Sequence, residues 1–457
     1  KDSLVPIFCI IFFLIFLFKN IFFVITYKFI YIFLSTLRAD ISSKILEKYL
    51  HQDFLFFSRN HQGKLSAILG PESQNFTDNF FFSLMVIISE FIILVGIFAL
   101  IIITNQTEGF LFIIPVILIS TLVVRLLNRK IKKWAQKRFQ VAEDLATLAQ
   151  RIFIGIRDLY LSNNADEIIK KYRSFNLDQG KLDANNQTVQ MIPKALLEIA
   201  GLIILLSLIV YLNHMNIQSD TILTNLTFYF VVAYRAIPSF NKILIQYQRI
   251  KYSKNSVDIV NSIFKLENQR TLKIDYTKNE IFKKNIKFEN VNFGYDKARP
   301  LIKNLNLEIE KGQIIGLYGE SGSGKSTILN LLTTLIEPDQ GKIFLDNNIL
   351  VSDGEKRNFQ NKITFISQDT FLWEDSIKNN IILNNEKNFD QEKFRFAANF
   401  AKVDKFINQF DNMYDYKVGS HSRRISSGQR QRIALSRAIY NLREILILDE
   451  ATNAVDE

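Results

Sequence analysis

Cysteine is all but absent: Cys9 is the only one in 457 residues, so a framework of intrachain disulfides is excluded. Histidine is scarce too, at His51, His61, His214 and His421. The chain opens on Lys1 with no initiator methionine, no signal-peptide pattern and no polar leader. Charge is thin, 22% of residues, against 48% hydrophobic residues and 40 phenylalanines. That balance excludes disorder, because such a chain can bury a core. The length calls for more than one domain. A mean hydropathy of +0.07 is too high for an ordinary soluble enzyme and too low for a pure membrane bundle. One apolar half joined to one polar half fits both values.

A formal net charge of +11 raises the question of nucleic acid. Residues 286–457 carry 23 Lys and Arg against 24 Asp and Glu, and residues 1–285 carry the other 33 and 21. The whole excess therefore lies in the more apolar half. Seven basic residues and no acid fall within Arg125–Arg138, a pattern shared by nucleic-acid patches and by the cytoplasmic flanks of membrane helices. The apolar runs decide for the membrane. Leu4–Phe18 is uncharged and its pattern continues past Lys19 towards Leu37; Val86–Ile103 holds only Glu90; Phe110–Val124 and Thr221–Tyr234 hold no charge; Ala195–Leu212 holds only Glu198. Each approaches or reaches the roughly 20 residues that span a bilayer. The first run reads as one span or as two divided at Lys19–Asn20. The short connections 104–108 and 213–220 lack Lys and Arg, whereas Arg38, Lys44, Lys48 and the Arg125–Arg138 cluster flank the other ends. The short loops are therefore expected outside, and the polar segments 38–78 and 125–194 are expected on the cytoplasmic side as continuing helices. Glu90, Glu198 and Arg235 lie in or near spans, where they would either line a path for a polar substrate or pair with one another.

Residues 255–285 read as a polar linker between a membrane domain, 1–254, and a second domain, 286–457. In the latter, Ile286–Phe293 and Asn304–Glu310 alternate like strands, and Gln313–Tyr318 reads as a buried strand. That strand runs into Gly319-Glu-Ser321-Gly322-Ser-Gly324-Lys325-Ser326-Thr327 and then an apolar helix, the strand–loop–helix setting of a phosphate-binding loop. Backbone N–H groups freed by the glycines would wrap phosphate oxygens, Lys325 would reach the β and γ phosphates, and the Ser326 hydroxyl would ligate Mg²⁺. Ile445–Leu448 reads as a second buried strand ending in Asp449, a further Mg²⁺ anchor, and Glu450, able to orient or deprotonate a water. Ser426, Ser427, Gly428 and Gln429 open a helix and make a second anion site.

With these motifs the chain resembles an ABC exporter half-transporter, and more finely the bacterial flippases of lipid-linked oligosaccharides, through Gln190–Glu198 and Ala233–Lys242. The resemblance implies an α-helical transmembrane bundle, with five of six expected spans in this sequence, followed by an α/β P-loop domain with an inserted helical subdomain. It implies ATP and Mg²⁺ as cofactors and ATP-driven export or flipping of a lipid-linked or amphipathic substrate, with multidrug, lipid or peptide export as the alternative. It also implies a dimer with a second copy or a homologous half, set in the bacterial inner membrane with a cytoplasmic nucleotide domain. Tyr295 would stack on adenine, and Gly319–Thr327 would be the Walker A loop. Gln368 would be the Q-loop glutamine that contacts metal and water. Ser426, Gly428 and Gln429 belong to the signature that completes the partner's ATP site. Asp449 and Glu450 would be Walker B and the catalytic carboxylate, and Asn453–Asp456 the D-loop. Leu37–Leu46 and Phe57–Leu65 are similar to the first intracellular loop of type I exporters, and Gly155–Leu159 to the second.

Three departures stand out. Ser427 replaces the first of the signature's two glycines. Val418–Ser422 departs from the usual loop before the signature. All four histidines precede Walker B, so the family's switch histidine and a first span are expected to lie outside this sequence. A non-hydrolysing subunit of a heterodimer is the rival reading, against which Lys325, Gln368 and Glu450 stand. A soluble ABC ATPase acting on DNA fails on the apolar spans.

Overall fold

Runs of Leu, Ile, Val and Phe without an internal breaker build the first helix. α1 (Leu4–Leu50) has its one proline, Pro6, in the first turn, where a missing N–H costs no hydrogen bond. It is continuous through Lys19–Asn20, so the first run is one helix and not two. The computed structural model describes residues 4–104, 109–214, 219–270, 282–297, 299–346, 348–349, 353–368, 370–383, 389–418 and 425–450. The chain divides into two compact units, Lys1–Leu50 with Phe56–Glu267, and His51–Leu55 with Asn268–Glu457.

In the first unit α1 is followed by short helices α2 (Phe54–Arg59) and α3 (Gln62–Ala67), although residues 51–55 count with the other unit. Wide π-turns at Ile68–Glu72 and Phe76–Phe81 flank α4 (Ser73–Asn75). Pro71 sits inside the first π-turn and has no N–H to keep the i→i−4 ladder. Four long helices follow: α5 (Phe82–Ile103), α6 (Gly109–Ile154), α8 (Ala165–His214) and α9 (Ser219–Phe264), with the short α7 (Ile156–Ser162) before α8. Both α6 and α8 run on beyond their apolar stretches, as expected of helices that leave a membrane. Three stretches among the described residues, Pro6–Leu50, Gln62–Ile103 and Ala165–Ile204, are long and apolar enough to cross a bilayer. The apolar parts of α6 and α9 lie in single long helices but are not among those three.

Packing matches a lipid setting. From Ile7 to Val24 the large side chains of α1 are exposed, with Phe18 at 73%, the reverse of a soluble core. Farther along, Ile41, Ile45 and Tyr49 of α1 pack with Val260 and Ile263 of α9. Ile131, Ala135, Val189 and Tyr252 join α6, α8 and α9. α9 continues ten residues into the segment read as a linker, and the division between the units falls at 267/268.

In the second unit, period-two patterning makes an antiparallel sheet, order β2-β1-β3-β4, from β1 (Asn285–Phe293), β2 (Ile302–Glu310), β3 (Gln340–Leu345) and β4 (Asn348–Ile349). Phe288 of β1 is opposite both Leu307 and Ile343. The phosphate-loop helix α10 (Lys325–Leu332) places Leu329, Leu331 and Leu332 against this sheet. α11 (Asp353–Gln360) precedes β5 (Ile363–Ile366), which pairs in parallel with β6 (Ile445–Leu448). Between β5 and β6 lies a helical subdomain of α12 (Ile377–Ile382), α13 (Gln391–Phe400), α14 (Asp404–Ile407) and α15 (Ser427–Tyr440), packed around Ile377, Ile381, Ala397, Val403 and Ile433.

Two strand expectations need correction. Gln313–Tyr318 is irregular and exposed, with Tyr318 fully open. No strand pairs with it among the described residues, and a segment outside a sheet has no ladder to hold it extended against the core. β6 is a strand, but only Ile447 is buried, while Leu446 and Leu448 are about half exposed. It bonds β5 on one edge, and its other side borders a cavity.

Candidate functional site: the phosphate loop and its carboxylates

The loop 319–324 reaches α10 through two residues of left-handed backbone. Gly322 has φ 84° and Gly324 φ 95°. A Cβ on Gly324 would also lie 2.8 Å from Ile302 Cδ1, a side-chain end that can turn aside, so it is the left-handed backbone that favours glycine there. The first intrahelical bond of α10 is Ile328 N–H to Gly324 O, 2.9 Å. The amides of Lys325, Ser326 and Thr327 therefore sit at an open, electropositive helix end. Lys325 Nζ donates to two carbonyls of its own loop, Gly319 O at 2.7 Å and Glu320 O at 2.9 Å. Ser321 and Ser326 are exposed, and Thr327 is buried.

The carboxylates follow from the β5–β6 pairing. Asp449 N–H donates to Ile366 O at 2.9 Å, extending the ladder by one step. Glu450 then takes φ 49°, a left-handed turn uncommon outside glycine. Its carboxylate accepts from Gln368 Nε2 at 2.7 Å, and Gln368 follows β5 by two residues. Lys325, Asp449 and Glu450 line one cavity of about 510 Å³, walled by 312–317 and apolar residues of β1 and β2. Four of the sequence candidates, Lys325, Gln368, Asp449 and Glu450, are thus brought together. No trio of His, Cys, Asp or Glu fit for a metal occurs among the described residues. Mg²⁺ held through nucleotide phosphates needs none, because it takes one or two protein ligands and keeps its other places for phosphate and water. The donor set around Lys325, hydroxyl and carboxylate oxygens with open backbone amides, therefore fits Mg²⁺ with a nucleotide.

Tyr295 and the Ser426 region line no part of that cavity. Tyr295 is half exposed, its ring edge-on to Phe293 at 5.1 Å. Ser426 caps α15: its Oγ accepts from Gln429 N–H at 3.2 Å, and Gln429 Oε1 accepts from Ser426 N–H at 3.0 Å. This reciprocal capping box holds the helix start open towards solvent. Ser427 and Gly428 are its first two residues. Residues 419–422 and Asn453–Asp456, named above, lie outside the described residues.

In the membrane half, Glu90 is buried and pairs with Lys242 at 2.7 Å, a partner the sequence did not suggest. Glu198 and Arg235 are exposed. A pair buried at both ends was not legible at all. Glu72, 1% exposed, accepts from Arg138 at 3.1 Å and from the Ser256 hydroxyl. Arg138 lies over the Tyr252 ring, whose hydroxyl donates to Asp183 at 3.0 Å. Beside this network is a polar cavity of about 610 Å³ lined by Arg38, Arg138, Asn186, Gln190, Arg249 and Tyr252 among others. Arg249 makes no ion pair or hydrogen bond among the described residues.

Comparisons with known proteins agree with this layout. Residues 302–453 match the family described as ABC transporter, and residues 2–234 match the ABC transporter transmembrane region. The chain is 28% identical over 406 residues to an ATP-dependent lipid A-core flippase of Alcanivorax borkumensis, covering 88% of this chain and 68% of the relative. It is 26% identical over 407 residues to that of Photorhabdus laumondii, with the same coverage. The flippase of Wigglesworthia glossinidia brevipalpis is 42% identical over 172 residues, 37% of this chain and 29% of the relative. A solved bacterial Atm1-family ABC exporter with ATP bound shares the fold, with TM-score 0.80 at 17% identity over 93% of this chain and 74% of that one. A membrane region of exporter type followed in one polypeptide by an ATP-binding cassette places this chain in the ABC transporter family, whose transport is coupled to ATP hydrolysis.

Proposed function

We propose that this chain is one half of a dimeric exporter that flips a glycolipid of the lipid A-core class across the bacterial inner membrane, with its cassette on the cytoplasmic side. The observation that carries this reading is similarity to lipid A-core flippases along both halves of the chain. The polar cavity of the membrane unit supports it: amides, an aromatic ring and the guanidinium of Arg249, without a partner among the described residues, suit a phosphorylated sugar headgroup.

In the cassette, Lys325 leaves the loop carbonyls for the β and γ phosphates, and the amides of 325–327 hold phosphate oxygens. Ser326 and Asp449 would hold Mg²⁺, which supplies charge neutralisation when bound with the nucleotide. Glu450 accepts the proton of the attacking water, and Gln368 keeps that carboxylate oriented. Tyr295 stacks on the base. Ser426, Gly428 and Gln429 complete the site of the partner cassette, so ATP binds the closed pair best and favours closure.

The test is transport of fluorescent lipid A in proteoliposomes, read by a membrane-impermeant quencher. ATP-dependent protection is expected. Movement of a peptide or drug but not of lipid A would overturn the substrate reading. Ser427 favours a second reading, a weakly hydrolysing subunit of a heterodimer. A homogeneous preparation that turns over ATP by itself would exclude it.

A further inference from the structure

Asn380 is completely buried and Arg437 partly so, and neither lines the cavity of the phosphate loop. Arg437 projects from α15. Its Nε donates to Asn380 O at 2.8 Å, Nη1 to Phe371 O at 3.0 Å and Nη2 to Asn380 Oδ1 at 3.1 Å. Asn380 extends the lacing: Nδ2 donates to Trp373 O and to Ser376 O, both at 3.0 Å, and Oδ1 accepts from Trp373 N–H at 2.8 Å. Every acceptor of the guanidinium among the described residues is neutral, and burial lowers its pKa. A buried cation without a counter-charge costs stability. What it supplies here is geometry, since a planar fork can hold three acceptors in different directions at once.

The two ends of this lacing are informative. Phe371 lies three residues beyond Gln368, which is bonded to Glu450. α15 opens with the capped Ser426–Gln429 turn. We propose that Arg437, through Phe371 and Asn380, is a positioning residue that makes the Gln368 segment and the signature turn move as one body. Because the signature serves the partner's nucleotide and Gln368 serves its own, the clamp links the two ATP sites of the dimer. The proposal rests on the roles given above to Gln368 and Ser426.

The experiment is steady-state ATPase of the intact transporter in lipid, with nucleotide binding measured alongside in each variant. Arg437→Ala is expected to lower kcat about tenfold, since small misplacements are costly in catalysis, and to bring the Hill coefficient for ATP close to one. ATP affinity should stay within about twofold of the parent, because Lys325 and Tyr295 are not held by the clamp. Arg437→Lys, which keeps the charge but reaches fewer acceptors, should recover part of both. Asn441→Ala, at the C-cap of α15, removes bonds to Ile381 O and to the Arg437 carbonyl but leaves the guanidinium and 371–380 untouched, and should leave kcat and cooperativity unchanged. Unchanged kcat and Hill coefficient in Arg437→Ala would overturn the proposal. So would equal losses of kcat, cooperativity and ATP affinity in Arg437→Ala and Asn441→Ala, which is the signature of general destabilisation. If Gln368→Ala also failed to slow turnover, the reading of the site would fall first; a slow Gln368→Ala beside a normal Arg437→Ala sinks the clamp alone.

Discussion

The two halves of the chain put their polar side chains to opposite uses. In the cassette, Ser326, Gln368 and Glu450 are exposed and Lys325 is half-buried on its own backbone, all within reach of something that arrives from solvent. In the membrane half two carboxylates turn inward and find a cation, Glu72 with Arg138 and Glu90 with Lys242, while Glu198 and Arg235 stay exposed. The difference follows from the surroundings. Water keeps an idle catalytic group charged at little cost, so the cassette can hold its groups ready. Among packed helices a buried charge without a partner is expensive, so Glu72 and Glu90 are paired, and Arg249 faces a cavity.

Substitutions in the cassette should therefore remove function and leave the fold, and substitutions of the inward pairs should do the reverse. The largest effect is expected from Lys325→Ala, with loss of nucleotide binding and of turnover to background but a retained thermal transition, checked by ATP binding and calorimetry. Glu450→Gln should keep ATP binding and lower turnover by about 10² to 10⁴, the range for a general base; undiminished hydrolysis would reject the assignment. Glu72→Ala leaves Arg138 buried and unpaired and should destabilise the membrane unit by about 3–5 kcal/mol, read as a lowered Tm in detergent, while ATP affinity of the cassette holds. A Glu72→Ala protein of normal Tm would break the contrast. The smallest effect is expected from Ser427→Gly, a modest rise in turnover at unchanged ATP affinity, because it clears one hydroxymethyl from the turn that meets the partner's phosphate.

What could be read beforehand depended on how local the information was. The phosphate loop is one contiguous stretch whose glycines and lysine fall within nine positions, so Gly319–Thr327 was legible as a loop running into a helix, though not which glycines, Gly322 and Gly324, take left-handed backbone. Asp449 and Glu450 were legible for the same reason, at the end of a short apolar strand. Gln313–Tyr318 was misread because its apolar composition says that it would be buried if paired, and pairing depends on a distant neighbour. Arg138 and Glu72 lie 66 positions apart and meet only through the π-turns around Pro71, a wide coil with no simple composition. Asn380 and Arg437 are 57 apart, and the one hint was an arginine inside the apolar face of α15.

Lys325 carries one more consequence. With its ammonium seated on Gly319 O and Glu320 O, the phosphate loop is its own first ligand. An incoming nucleotide does not gain a free cation; it displaces two carbonyls from one. The affinity of the site is therefore a difference between two sets of contacts, and the released carbonyls must find water. Such an exchange keeps the loop shaped while it waits.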